Sequence, residues 1–95
     1  MILGLLLILI PADFPVSTAY LSQHYPIVRF VNDQYYVFWT DMRFYSPDRS
    51  IFSARVANDG TVIDPDGRLL IRDRVIKSSV AYGDGNFLVV VQDSC

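Results

Sequence analysis

The chain has 95 residues, of which 52% are hydrophobic and 14% aromatic, and its formal net charge is −2. That composition excludes intrinsic disorder, which needs low hydrophobicity and high net charge, and the charge leaves no basic footprint for nucleic acid. The length sets a bound of one domain, or part of one, with a thin stability margin.

All ten acids are Asp, and the bases are seven Arg and the single Lys77. Glu and Lys usually coat exposed helices, whereas Asp favours turns and caps, so the balance points to strands joined by tight turns.

In chain order, Met1 to Ile10 is an apolar run interrupted by Gly4 and stopped by Pro11. It is far shorter than the roughly twenty residues that cross a bilayer as a helix, and it suits the apolar core of a secretory signal. Ser17 and Ala19 place small residues at −3 and −1 of a cut after Ala19, so residues 1–19 read as a signal peptide. No Lys or Arg precedes Arg29 to give the usual basic leader, and the alternative is a buried apolar strand or helix of the mature fold. No Cys follows the run, which disfavours a lipoprotein signal.

Residues 20–25 read as a polar linker containing His24, a solvated histidine with no partner constellation. Pro26 leads into a β-favouring run, Ile27 to Val31, and Asn32-Asp33 turns it into Gln34-Tyr35-Tyr36-Val37-Phe38-Trp39-Thr40-Asp41. Side chains alternate along a strand, so Tyr35, Val37 and Trp39 share one face and Tyr36 and Phe38 the other. Both faces are apolar, which predicts a strand covered on both sides.

Asp41 to Ser50 reads as a connection, Ile51 to Val56 as a third strand, Asn58-Asp59-Gly60 as its turn and Thr61 to Ile63 as a fourth strand. After the turn Asp64-Pro65-Asp66-Gly67, Leu69 to Ile71 extends the outer strand or packs beside it. Residues 72–77 then return the chain to a second copy of the hairpin, turning at Asp84-Gly85 into Asn86 to Asp93. Tyr35 matches Phe87, Val37 matches Val89 and Asp41 matches Asp93, each 52 residues apart. A period of that size marks a repeat architecture.

The elements Tyr36-Val37-Phe38-Trp39-Thr40-Asp41-Met42-Arg43, Ile51-Phe52-Ser53-Ala54-Arg55-Val56 and Asp59-Gly60-Thr61-Val62-Ile63-Asp64-Pro65 resemble one blade of the β-propeller repeats of large secreted and cell-surface bacterial and archaeal proteins. The resemblance covers about residues 26 to 93. It implies an all-β fold of antiparallel sheets, about one and a half blades, with residues 26–77 as the first blade and 78–95 as the start of a second. The second copy departs from the pattern, with Val91 where the first has Trp39. Propellers close with typically four to eight blades, so the resemblance implies a piece of a longer protein, completed by further blades or by self-association.

The function expected on this basis is a non-enzymatic scaffold or interaction module, secreted or at the cell surface, that meets the membrane only during export. The alternative is the first blade of a secreted glycan hydrolase with catalytic residues outside this chain. The partner is an unspecified protein or glycan. Asp41 and Arg43 could bind a ligand at a strand end, against the simpler reading in which Asp41 caps a turn and Arg43 pairs with an acid such as Asp48. The aromatics Tyr20, Tyr25, Phe44 and Tyr45 lie in loops and are further contact candidates.

Asp64 and Asp66 resemble the start of a calcium loop without its later ligands, so no cofactor is expected. No nucleophile motif or phosphate-cradling glycine loop is present. The single cysteine, Cys95, excludes an intrachain disulfide and is either a free thiol or half of a bridge to residues beyond it.

Overall fold

A computed structural model describes residues 5–9 and 12–94. They form an all-β structure of antiparallel sheets. No helix among them is long and apolar enough to cross a membrane. Strands β1 (Leu5–Leu9) and β2 (Ala12–Ser17) pair as a hairpin. Strands β3 (Gln23–Val31), β4 (Gln34–Asp41), β5 (Ser50–Ala57) and β6 (Arg68–Ile71) form a meander in that order. Strands β7 (Val75–Gly83) and β8 (Asn86–Asp93) form a second hairpin.

The period of 52 is visible in the backbone. Asn32 and Asp33 hold φ of 51° and 65° at the β3–β4 turn, and Asp84 and Gly85 hold 52° and 79° at the β7–β8 turn. These are the two left-handed positions of a type I′ hairpin turn, whose twist matches that of the strands it joins. The Met42 amide donates to the Ser22 carbonyl at 2.9 Å, and one period later the Ser94 amide donates to the Arg74 carbonyl at 3.0 Å.

The four-stranded sheet is the middle layer. On one face Val37, Trp39, Phe52, Ala54 and Val56 form a buried cluster with Val16 of β2. On the other, Tyr36 and Phe38 meet Phe87 of β8, with ring centroids 4.6 and 5.3 Å apart. The expected double coverage is therefore present for β4. Among the described residues nothing covers the outer face of β8, where Leu88 is 63% and Val90 54% exposed while Phe87, Val89 and Val91 are half-buried.

Three boundaries differ from the sequence reading. First, β3 begins at Gln23, inside the segment read as a linker, because Gln23 pairs with Asp41 and His24 with Thr40. The register shifts before Ile27, across Tyr25 in the left-handed region at φ 55° and Pro26, which has no N–H to give to a ladder. Second, Thr61 to Ile63 is not the fourth strand. Val62 makes only an isolated bridge to Val56, Asp64 turns to Arg55, and the chain rejoins the sheet as β6. Third, Val75 to Lys77, read as connection, already belong to β7.

The segment read as a signal peptide supplies β1 and β2. Val16 and Ser17 are buried, the Asp66 amide donates to the Val16 carbonyl, and the Thr18 amide donates to Asp66 Oδ1 at 2.9 Å. A cut after Ala19 would remove Val16 from the core, and burying a valine contributes about 1.5–3 kcal/mol.

Candidate functional site

The end of the sheet where β4 stops gathers most of the residues singled out from the sequence. Trp39 and Asp41 both project from β4 onto the face that carries Phe52. The Trp39 indole Nε1–H donates to Asp41 Oδ2 at 2.8 Å. Arg43 closes on the same carboxylate, with Nε and its backbone N–H donating to Oδ1 and Nη2 donating to Oδ2, all at 2.9 Å. Its Nη2 also donates to the Asp66 carbonyl at 2.6 Å, and the guanidinium lies 3.7 Å from the Phe52 ring centroid. Asp41 is fully buried and Arg43 is partly exposed.

A buried carboxylate is tolerable only when its charge is paired and its lone pairs are filled, and here four donors fill them. The Asp41–Arg43 pair is thus turned inward, joining β4 to the Asp64–Gly67 turn. Arg43 meets Asp41 itself and not Asp48, which pairs with Arg72 at 3.1 Å. The two-residue spacing lets Arg43 fold back over the carboxylate it follows. The Trp-x-Asp-x-Arg string held the signal for this network, but whether the indole would reach the carboxylate depended on both lying on one face of β4, where Trp39 pairs with Phe52 and Asp41 with Ser50.

Asp64 is held by a second arginine. Arg55 Nε donates to Oδ2 at 2.9 Å and Nη2 to Oδ1 at 3.0 Å, and the Arg55 amide adds a third bond to Oδ2 at 3.0 Å. The side-chain bond from Arg55 holds the Asp64 carboxyl below its ordinary value, against a smaller opposing effect of burial. Asp66 accepts from the Thr18 amide. The two candidate calcium ligands thus serve different partners. Among the described residues no group of three or more His, Cys, Asp or Glu side chains could hold a metal ion.

The depressed Asp64 value has a signed consequence. The unfolded chain, with the ordinary carboxylate pKa, takes up the proton more readily than the folded chain. The contribution is therefore complete above the unfolded value of about 4 and is lost as pH falls towards the folded one. We expect the thermal midpoint of the wild type to fall on acidification through that window. Asp64→Asn should start lower at neutral pH and lose less, as measured by thermal denaturation from pH 7 to pH 3.

The loop candidates divide. Tyr20 and Tyr45 come together with ring centroids 6.0 Å apart at 65°, and are 66% and 59% exposed. Tyr45 sits at φ 70°, a region a bulky side chain occupies only under constraint. The neighbouring Tyr20 hydroxyl raises the Tyr45 phenol above its ordinary pKa. Phe44 is half-buried between the Arg72 guanidinium, 4.0 Å from its ring centroid, and Phe52. Tyr25 lies apart, beside His24, at the mouth of an open cleft of about 590 Å³ between the middle sheet and β7 that Thr40, Arg49 and Lys77 also line. Cys95 lies outside the described residues.

Comparison with protein-family models, with curated proteins and with solved structures finds no match to this chain.

Proposed function

We propose that the chain is an exported, non-enzymatic, propeller-like interaction module that contacts a protein or glycan partner through its Tyr20–Tyr45 loop end. One observation carries the reading. Two exposed tyrosines from separate loops form an edge-to-face pair, Tyr45 at a left-handed backbone position two residues beyond Arg43, whose side chain is fixed on Asp41. Strained backbone at an exposed contact residue is a motive for a binding hypothesis, and tyrosine gives a large apolar contact with a polar tip. The propeller-like reading is supported by the recurrence, 52 residues apart, of the hairpin turn and of the hydrogen bond that closes the open end of each hairpin.

Export is supported by the apolar run from Met1 to Ile10. Because Val16 and Ser17 belong to the core, an exported product that keeps residues 12–19 is the more stable form.

The test immobilises the chain and a Tyr20→Ala/Tyr45→Ala variant against panels of glycans and extracellular proteins, while released reducing ends are followed. Specific binding that the variant loses while keeping its thermal transition is the expected result. Binding that survives the variant, or glycan turnover, would overturn the reading. Export is tested by joining residues 1–25 to a reporter that is active only outside the cytoplasm, and an inactive reporter would remove that part.

A further inference from the structure

We infer that the 95-residue chain associates head to tail, the β1–β2 hairpin of a second copy pairing with the edge of β8 that no described strand occupies, to complete a four-stranded layer. The inference goes beyond the binding role of the Tyr20–Tyr45 end and uses other surfaces.

The middle sheet shows what a complete layer is: β3-β4-β5-β6. One period later β7 and β8 repeat β3 and β4, and among the described residues no strand repeats β5 beside β8. A row of unpaired amides and carbonyls along a strand is a template for another strand. The β1–β2 hairpin has the complementary form, an antiparallel pair that leads through a short connection into β3 as β6 leads into β7.

The coverage of the middle sheet supports the same arrangement. On the Trp39 face, Val16 covers β4 and β5, while Val28 and Phe30 of β3 remain 42% and 55% exposed. On the opposite face, β8 covers β4 through Phe87, while a groove of about 390 Å³ beside Ser53, Leu69 and Leu70 stays open. Each hairpin therefore covers the half of its face that the other leaves bare on the opposite face. A β1–β2 hairpin from a second copy, laid along β8, would enter the open groove of the first copy. The same step would bring the exposed Leu88 and Val90 of the first copy against the exposed Val28 and Phe30 of the second. The second copy's hairpin keeps its place on its own sheet, so no segment is exchanged.

Such a contact is heterologous: the two surfaces differ, and copies add in one direction into a ring or an open stack. The test is sedimentation velocity of the wild type, Val28→Lys and Leu88→Lys over about a hundredfold range of concentration. Circular dichroism confirms folding, and Phe30→Lys and Val90→Lys are the replacements if either variant fails to fold. The wild type should form species larger than a dimer. Each variant alone should be monomeric, because every contact would then meet a lysine. An equimolar mixture should give dimers and nothing larger, because Leu88→Lys retains an intact Val28 surface and Val28→Lys an intact Leu88 surface. A wild type that stays monomeric throughout, association unaffected by either lysine, or a mixture that stays monomeric would each overturn the inference. Binding at Tyr20 and Tyr45 is read separately on the Leu88→Lys monomer, so the two proposals fail independently.

Discussion

Asp41→Ala is expected to lower the free energy of unfolding by about 3–5 kcal/mol, the range seen when one partner of a buried pair is removed and the other is left behind. Two groups lose their acceptor together. The Trp39 indole N–H would be left without its carboxylate in the core, and the Arg43 guanidinium would lose both side-chain bonds to the acid while still lying against Phe52. Stability of small domains is about 5–15 kcal/mol in total, so urea denaturation should show a much reduced midpoint or a chain already unfolded in buffer. The internal repeat supplies the control. Asp93 is the counterpart of Asp41, but it is exposed and Val91 stands where the indole would be. Asp93→Ala should change stability by no more than about 0.5 kcal/mol, as for most surface positions. Equal effects at the two positions would show that the carboxylate at the end of β4 does not owe its role to the tryptophan and arginine around it.

The second large effect is expected at Gly67, where two independent penalties coincide. Its φ is +80°, which costs a residue with a Cβ about 1–2 kcal/mol. A Cβ there would also lie 2.5 Å from Cη2 and 2.6 Å from Cζ2 of Trp39, with the Ser53 carbonyl oxygen at 3.2 Å. The indole is pinned at its other end by Asp41, so it cannot swing aside without breaking that bond. Overpacking of this kind adds about 1–3 kcal/mol. Gly67→Ala should therefore destabilise by roughly 2–5 kcal/mol. Gly85→Ala, at φ +79° with open space around it, should show only the first penalty. Comparing the two by urea denaturation separates backbone strain from contact with the tryptophan.

Much of this fold was legible in the chain because local chemistry and long-range pattern agreed. Asn32-Asp33 and Asp84-Gly85 are residues that tolerate left-handed backbone, and both turns formed where they stand. The two apolar faces of β4 required two neighbours, and Val16 and Phe87 are those neighbours. Less legible was anything decided by competition between elements. Thr61 to Ile63 has strand-like side chains, yet Arg55 draws Asp64 into a bidentate pair and the sheet resumes only at Arg68. The N-terminal apolar run fits a signal peptide and a strand equally well by periodicity. The burial of Val16 depends on a sheet formed by residues far along the chain.

The candidate site was legible in its parts and not in its assembly. Asp41, Arg43, Asp64 and Asp66 stood out as charged residues in a largely apolar chain, but which arginine would meet which acid was set by the sheet register. Arg55 lies next to Asp64 only because Ile63 bonds back to β5, through its amide to the Arg55 carbonyl at 2.9 Å. The approach of Tyr20 to Tyr45 depended on two loops brought together at one end of the sheet, which spacing along the chain cannot express.

The central claim is that a sheet covered on both faces is locked at one end by the Trp39–Asp41–Arg43 network. The chain has one tryptophan, so one indole N–H resonance reports on it. Hydrogen exchange of that proton is the most direct measurement. It should exchange only through global unfolding, with a protection free energy equal to the stability from urea denaturation, and should lose that protection in Asp41→Ala. Exchange at the rate of a free indole in the folded wild type would contradict the claim.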